Sequence, residues 1–227
     1  MSSTLLDRDT RDVTVGTWGL PGFLTIPGSA SALVVFAHGS GSSRFSVRNR
    51  QVAKVLNRAG WATLLFDLLR PEEEVAQGRA RVFDIPFLAR RLVDAVKWGD
   101  EEMGAATLPI GMFGASTGAA AALMAAAELN DRVSAVVSRG GRPDLAVRSL
   151  DLVTAPTLLI VGGEDHGVIE LNQYALDHLK GVAQLEIVPG ATHLFPEPGA
   201  MEKVTALATR WFERYLNSKP APVSHAF

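Results

Sequence analysis

The fold is decided by a stretch that reads Leu108-Pro-Ile-Gly-Met-Phe-Gly-Ala-Ser-Thr-Gly118 and continues into the alanine-rich segment Ala119–Leu129. Its first half is a short apolar run, which predicts a buried strand, and the alanine-rich segment predicts a helix. Between them lies the pattern Gly-x-Ser-x-Gly, centred on Ser116. We interpret this strand, sharp turn and helix as a support that presents the Ser116 hydroxyl as a nucleophile, in preference to a simple helix-capping turn.

Apolar runs on both sides of this stretch predict the rest of the sheet. Segments of helical period separate most of them, which is typical of a parallel sheet covered by helices on both faces. Two runs near the start flank Leu20-Pro21-Gly22 and predict an antiparallel hairpin at one edge. The last run alternates polar and apolar residues, as a partly exposed edge strand does. In chain order the predicted strands are Val13–Thr17, Phe23–Ile26, Leu33–Ala37, Thr63–Asp67, Ile110–Gly114, Ala135–Val137, Thr157–Val161 and Gln184–Val188.

The remaining helices and the domain organisation follow from capping signals and spacing. Fewer than about 20 residues separate Val137 from Thr157, too few for a folded cap domain, so we expect a comparatively open site. We expect one domain over residues 1–227, with about 1–10 and 218–227 flexible. Besides Ala119–Leu129, the predicted helices are Arg50–Ala59, one from Asp84 to about Trp98, Val168–Leu179 and Met201–Leu216.

His193 is the histidine best placed to activate Ser116. A serine hydroxyl needs a base to accept its proton, and His193 lies between the last predicted strand and the last helix. The acid that orients the histidine is expected after the preceding strand, where Glu164 and Asp165 both occur. We choose Asp165 and keep Glu164 as the alternative, because either carboxylate could reach the imidazole. The chain order of serine, aspartate and histidine favours this choice over a helix-capping role for Asp165.

The tetrahedral intermediate of acyl transfer needs N–H donors for its oxyanion. We expect one donor to be the amide of Thr117, directly after the nucleophile. The second is expected in the loop after Leu33–Ala37, at Ser40, with Gly39 as the next choice. This glycine-containing loop lacks the Lys-Ser/Thr of a P-loop and the full Gly-x-Gly-x-x-Gly spacing, which disfavours nucleotide binding. We interpret His38 as structural support for the loop.

The composition argues against several classes of protein. A formal net charge of −2, with both signs mixed along 227 residues, leaves no basic surface for a nucleic-acid partner. The absence of cysteine excludes disulfides, thiolate catalysis and cysteine-bound metals. The first nine residues lack the apolar segment of a signal peptide, and no stretch reaches the roughly 18 to 20 apolar residues that cross a bilayer. We therefore expect a cytoplasmic protein with no membrane partner.

Four motifs in chain order carry a resemblance to a known superfamily: His38–Gly41, Gly114–Gly118, Gly162–Val168 and Gly190–Phe195. Over essentially its whole length the chain resembles the α/β-hydrolase superfamily and, by its compact size, most of all the dienelactone-hydrolase-like branch. The segment Ser138–Leu145 is similar to hydrolase domains found joined to phosphoribosyltransferases. The resemblance implies the α/β-hydrolase fold, a mostly parallel eight-stranded sheet with helices on both faces, no large cap domain, and neither cofactor nor metal.

The resemblance and the three site residues together predict a serine hydrolase. We expect it to act on carboxylic esters of small to medium size through an acyl-enzyme. Dienelactone hydrolases proper use a cysteine nucleophile, whereas this chain has Ser116, which favours a more general ester hydrolase. The alternatives are an acyltransferase or perhydrolase with the same triad, and a non-catalytic scaffold that binds small molecules.

Two arginines are candidates for substrate binding, together with Gly39. Arg139 and Arg142 follow a predicted strand at the sheet edge that carries the catalytic loops. A guanidinium there could pair with a substrate carboxylate. A salt bridge to Asp144 or Asp67 is the structural alternative, which we favour.

Overall fold

The structure, a computed structural model, describes residues 9–70, 72–73, 79–104 and 108–217. These residues contain the strands β1 Thr10–Val15, β2 Leu20–Thr25, β3 Leu33–Ala37, β4 Ala62–Phe66, β5 Ile110–Ala115, β6 Val133–Arg139, β7 Thr157–Gly162 and β8 Ala183–Val188. They form one eight-stranded sheet in the order β1-β2-β4-β3-β5-β6-β7-β8. The pairs β1–β2 and β2–β4 are antiparallel, and the other five pairs are parallel. The predicted α/β-hydrolase fold is confirmed.

Helices lie on both faces of the sheet. The helix Ile85–Glu102, α3, begins where the sequence predicts, because the Asp84 carboxylate accepts the Phe87 N–H at 3.1 Å and so caps its first turn. Between β6 and β7 lies only a 3-10 helix, Pro143–Leu152, so no cap domain is inserted at that position. The helices are α1 Val47–Arg58, α2 Arg79–Val82, α3 Ile85–Glu102, α4 Thr117–Leu129, α5 His166–His178 and α6 Ala200–Leu216.

Two apolar layers bury the sheet. Helices α3, α4 and α5 cover one face, where the fully buried alanines 119–122 let α4 approach β5 closely. Helices α1 and α6 cover the other face and bury Phe36, Phe113 and Phe212 against it. Each such large side chain contributes about 1.5–3 kcal/mol when it leaves water. The sheet is therefore a rigid base for the loops that follow its strands.

The turn predicted at Leu20-Pro21-Gly22 is wrong. The chain turns at Gly16–Gly19, both ends of which have φ near +63°, and the Gly19 N–H donates to the Gly16 carbonyl at 3.2 Å. A left-handed conformation favours glycine, so the two glycines determine the turn. Leu20-Pro21-Gly22 instead begins β2, where Pro21 pairs with Thr14 of β1.

The chain ends are only partly covered by the structure. The segment of about residues 1–10 that the sequence predicts to be flexible reaches the start of β1, where Thr10 pairs with Thr25 in the sheet. The rest of that prediction, for residues 1–8 and 218–227, lies outside the described residues. Among the described helices, none is both long enough and apolar enough to cross a membrane.

A buried ion pair holds the segment that follows β4. Arg91 of α3 is almost fully buried, and it donates to both oxygens of Glu73, at 2.6 and 2.8 Å, and to the Leu68 carbonyl at 2.6 Å. The hydrogen bond from Arg91 is the main reason that the pKa of Glu73 falls to about 2. A group whose pKa is lowered by folding stabilises the protein above its unfolded pKa and loses that effect as the pH falls through its folded value.

We expect the free energy of unfolding of Glu73→Gln to fall less steeply at acid pH than that of the wild type. Between about pH 4.5 and pH 2 the wild type should lose about 2 kcal/mol more unfolding free energy than the variant, since the Gln cannot be protonated. Urea unfolding at several pH values measures this difference. The neighbouring, exposed Glu72→Gln is the matched control, and equal acid profiles of Glu73→Gln and wild type would contradict the assignment.

Candidate active site

Ser116 occupies the sharp turn between β5 and α4. Its φ of +51° and ψ of −120° are unusual for a residue with a side chain, and the Ser116 N–H donates to the Arg139 carbonyl at 3.1 Å. A strained backbone of this kind costs of order 1–3 kcal/mol and is typical of functional sites. Ser116 stands at the N-cap of α4, yet its side chain makes no capping hydrogen bond. The turn therefore leaves the hydroxyl available instead of using it as a cap.

Neighbouring backbone atoms lie so close to the two glycines of the motif that no side chain fits at either position. A Cβ at Gly114 would lie 2.4 Å from the Ala119 Cα, and one at Gly118 would lie 2.3 Å from the Ala37 carbonyl oxygen. Both neighbours are backbone atoms, which cannot swing aside. The tight packing of α4 against β3 and β5 thus requires the Gly-x-Ser-x-Gly spacing.

Ser116, His193 and Asp165 lie in one chain of hydrogen bonds. The distance from His193 Nε2 to Ser116 Oγ is 3.3 Å, and that from His193 Nδ1 to Asp165 Oδ2 is 2.6 Å. The first distance is slightly long, as is common in active sites without substrate. The His193 side chain is 36% exposed and that of Asp165 is 17% exposed, so the base faces the solvent side and the acid lies behind it. A carboxylate at Nδ1 favours the tautomer in which Nε2 can accept a proton.

The structure distinguishes Asp165 from Glu164, the two acids that the sequence offers as partners of His193. Asp165 occupies the N-cap of α5 without a capping hydrogen bond, because its carboxylate turns to His193. Glu164 points elsewhere, with Oε2 at 3.8 Å from His166 Nε2, and more than half of its side chain is exposed. The geometry agrees with the choice of Asp165 over Glu164.

The loop between β3 and α1 reaches the nucleophile, but its predicted oxyanion donor is engaged. The Ser40 N–H donates to Thr117 Oγ1 at 2.9 Å, so it is not free for an oxyanion in this structure. Ser40, Gly39 and Thr117 line a cavity of about 10 Å³, which has room for about one water molecule. Gly39 packs so tightly that a Cβ there would lie 3.1 Å from the Ser116 Cβ. Sequence reasoning used only the amide of Thr117 and missed its hydroxyl.

We expect the Thr117 hydroxyl to hold the Ser40 amide beside the nucleophile. Thr117→Val removes this acceptor at nearly constant shape and should lower kcat about 10- to 100-fold, because the loop loses its fixed distance from Ser116. Thr117→Ser keeps the hydroxyl and should stay near the wild-type rate. Steady-state kinetics of the two variants on one ester tests this. A kcat of Thr117→Val at or above wild type would contradict it.

His38 also helps to hold this loop in place. Its Nε2 accepts the Leu68 N–H at 2.9 Å, and its Nδ1 lies 3.0 Å from the Gly39 carbonyl oxygen. Leu68 is also the residue whose carbonyl Arg91 holds. The histidine therefore joins the loop to the anchored segment after β4, which agrees with a structural role.

The loop that carries His193 is braced by Glu197. The Glu197 carboxylate accepts both the Thr192 hydroxyl, at 2.6 Å, and the Thr192 N–H, at 3.1 Å. The hydroxyl bond is the main cause of the lowered pKa of Glu197. Sequence reasoning did not single out Glu197. The only available signal was a carboxylate shortly after the histidine.

The two arginine candidates have different environments. Arg142 binds Asp144 through two hydrogen bonds of 2.8 Å, which raise the pKa of Arg142 and match the salt bridge that we favoured. Asp67, the other acid considered, binds Arg44 through the Arg44 N–H and side chain. Arg139 is 6% exposed and has no ion pair with any described carboxylate. Within the described ranges, no three His, Asp or Glu side chains group as a metal site would need.

The sequence of this chain matches a known family. The family model of the dienelactone hydrolase family matches residues 20–218. The chain belongs to the dienelactone hydrolase family. A solved structure of this family, the dienelactone hydrolase from Anabaena variabilis, is 53% identical, covers 92% of this chain and 99% of its own, and superposes with a TM-score of 0.86. Est1E from Butyrivibrio proteoclasticus, at 16% identity and a TM-score of 0.73, covers 90% of this chain and 99% of its own and shares the fold.

Curated relatives of this dienelactone hydrolase family member are longer. Two proteins from strains of Mycobacterium tuberculosis are 59% identical over 204 residues, and their names propose a phosphoribosyl transferase. The match covers 90% of this chain and 46% of theirs. The chain thus spans about half the length of the curated relatives it matches.

Proposed function

We propose that this chain hydrolyses carboxylic esters of small to medium size through a covalent acyl-enzyme on Ser116. The observation that carries the proposal is the continuous hydrogen-bond chain from Ser116 through His193 to Asp165. A hydroxyl, an imidazole and a carboxylate in this order can remove the nucleophile's proton as it attacks and stabilise the imidazolium that forms. Membership of the dienelactone hydrolase family supports hydrolase chemistry.

Acylation begins when Ser116 Oγ bonds to the ester carbonyl carbon and His193 Nε2 takes the hydroxyl proton. The carbonyl electron pair moves onto oxygen, and the Thr117 N–H at the start of α4 stabilises the resulting oxyanion. The carbonyl then re-forms, the bond from carbon to the alcohol oxygen breaks, and His193 gives its proton to the leaving alcohol. Asp165 holds the imidazole in place throughout these transfers.

Deacylation repeats these steps with water. His193 takes a proton from the water as its oxygen attacks the acyl carbon, and returns that proton to Ser116 Oγ as the acid leaves. An alcohol or a peroxide in place of water would make the same site an acyltransferase or a perhydrolase. Because no cap domain separates β6 from β7, we favour small or extended esters over long lipids.

The proposal is tested by labelling and turnover on the same samples. A fluorescent fluorophosphonate, which reacts with an activated serine, should label the folded protein, and mass spectrometry should find the adduct on Ser116. Hydrolysis of p-nitrophenyl acetate and butyrate should stop as the label accumulates. No labelling and no turnover would overturn the proposal in favour of a non-catalytic binding scaffold. Ester or peracid products in the presence of added alcohol or peroxide would favour acyl transfer instead.

A further inference from the structure

The backbone of Ser116 is held from both sides by residues 139–142, the end of β6 and the loop that follows it. The Ser116 N–H donates to the Arg139 carbonyl at 3.1 Å, and the Ser116 carbonyl accepts the Arg142 N–H at 3.1 Å. A residue with a side chain keeps a φ of +51° only where its surroundings hold it there. We call residues 139–142 the clamp loop, because these two hydrogen bonds help to fix the backbone that carries the nucleophile.

The clamp loop also lies against the base. A Cβ at Gly140 would be 3.1 Å from the His193 carbonyl oxygen and 3.5 Å from Cε1 and Nδ1 of its ring. A Cβ at Gly141 would be 2.8 Å from the Cβ of Ala119, in the first turn of α4. The position of this loop therefore affects the nucleophile and the base together.

One buried side chain from another element anchors the clamp loop. Asn172 of α5 is fully buried, and its Nδ2 donates to the Gly141 carbonyl at 3.0 Å and to the Val168 carbonyl at 2.8 Å. Val168 lies in the first turn of α5, the helix whose N-cap is Asp165. A single carboxamide thus joins the clamp loop to the start of the helix that follows the triad acid.

The bond to Gly141 is the distinctive contact of Asn172. The Val168 carbonyl is also the acceptor that an α-helix provides for the Asn172 backbone N–H, so it does not depend on the side chain. The Asn172 Oδ1 is buried and has no hydrogen-bond partner among the described residues. An unpaired buried oxygen costs free energy, and a leucine of similar size would avoid that cost. A polar group kept inside the protein at such a cost calls for a functional explanation.

We propose that Asn172 is a positioning residue for ester hydrolysis, which fixes the clamp loop through Gly141 and so keeps Ser116 in line with His193. This inference rests on the proposed esterase function and adds a residue that touches neither the substrate nor the reacting atoms. The Ser116 Oγ and His193 Nε2 are 3.3 Å apart, and the clamp loop contacts both residues. A displacement of about 1 Å at such a site can lower the rate about 100-fold.

The first test is Asn172→Leu under single-turnover conditions, with the enzyme in excess over p-nitrophenyl acetate. The release of p-nitrophenol then measures acylation alone, and its dependence on enzyme concentration separates binding from chemistry. We expect the limiting rate constant to fall about 10- to 100-fold, because the serine and the histidine lose their fixed distance. The half-saturating enzyme concentration should stay within about twofold of the wild-type value.

Asn172→Thr isolates the bond to Gly141. A threonine inside a helix can donate its hydroxyl to the carbonyl four residues earlier, as Thr205 of α6 does to Met201 at 2.7 Å. Asn172→Thr can therefore keep the bond to Val168 and lose only the bond to Gly141. It should show the same loss of rate constant as Asn172→Leu. Acylation by Asn172→Thr at the wild-type rate would overturn the proposal.

Leu176→Ala is the matched control for a general loss of stability. Leu176 lies on the same helix and packs against the core, and its side chain cannot hydrogen-bond to the clamp loop. The change should lower the Tm but leave the acylation rate constant of folded chains within about twofold of wild type. Labelling to completion with a fluorescent fluorophosphonate counts the active chains in each sample, so a smaller folded fraction is not mistaken for a slower reaction.

Hydrogen exchange followed by NMR tests the link between Asn172 and the clamp loop without turnover. In Asn172→Leu and Asn172→Thr the Arg142 N–H, which donates to Ser116, should exchange at least about tenfold faster than in the wild type. Leu176→Ala should leave the exchange of this amide, relative to the amides of β6, as it is in the wild type.

The outcomes separate the positioning role from the esterase function. If both Asn172 variants acylate within about twofold of the wild-type rate constant, the positioning role is overturned and the esterase function stands. A lower Tm with fewer labelled chains, but an unchanged rate constant per labelled chain, is the result expected of a merely structural residue and also overturns it. If the wild type neither reacts with the fluorophosphonate nor releases p-nitrophenol, the proposed function itself fails.

Discussion

Ser116→Ala is expected to lower kcat for p-nitrophenyl butyrate about 10⁴- to 10⁶-fold while the protein stays folded. The hydroxyl is the atom that forms the acyl-enzyme, and in a triad the loss of the nucleophile removes nearly all the benefit of the other two groups. The remaining rate over water would come from binding and oxyanion stabilisation alone. Steady-state kinetics, with circular dichroism to confirm folding, measures the effect.

Ser134→Ala is a matched control for that experiment. Ser134 lies near the start of β6, whereas the catalytic loops follow the ends of the parallel strands. Its kcat should remain within about twofold of wild type. A Ser116→Ala protein that keeps a tenth or more of the wild-type rate would exclude Ser116 as the nucleophile.

Asp165→Asn should lower kcat about 10³- to 10⁴-fold with little change in KM. An amide in place of the carboxylate neither stabilises the imidazolium nor selects the tautomer in which His193 Nε2 can accept the Ser116 proton. The prediction rests on the 2.6 Å contact between Asp165 Oδ2 and His193 Nδ1, and its size is the one usual for this change in a triad. Stopped-flow measurement of acylation with p-nitrophenyl acetate would locate the loss in the first chemical step.

Glu164→Gln makes this experiment decisive, because the two acids are adjacent and only one contacts the histidine. The exposed Glu164 should be replaceable with less than a twofold change in kcat. Equal losses in the two variants would point to a general effect of negative charge in the loop. A larger loss in Glu164→Gln would reverse the assignment.

Much of this site could be predicted from the sequence because its signals are local. Gly114 and Gly118 sit against backbone atoms of α4 and β3, so only a residue without a side chain fits, and that requirement is visible as a motif. The parallel strands were visible as apolar runs, since both faces of the central sheet are buried. The sequence pattern misplaces the turn before β2 at Leu20-Pro21-Gly22, whereas the positive φ of Gly16 and Gly19 determines its position.

Pairings between distant residues could not be predicted in this way. Arg139 and Arg142 look alike in the sequence, and only the packed structure gives Arg142 a carboxylate while burying Arg139 without one among the residues it describes. Likewise, Ser40 and Thr117 are 77 residues apart, and their hydrogen bond depends on how α4 meets the loop after β3.

The sequence by itself determined the α/β order of elements, the strained turn at Ser116 and the chain order of the three catalytic candidates. Those features depend on local backbone sterics and on apolar patterning, which short segments record. Only the tertiary structure decided which acid reaches His193, which amide is already engaged and which arginine is paired with a carboxylate. Hydrogen bonds and ion pairs depend on ångström-scale distances between remote segments, and those distances exist only after the sheet and helices have packed.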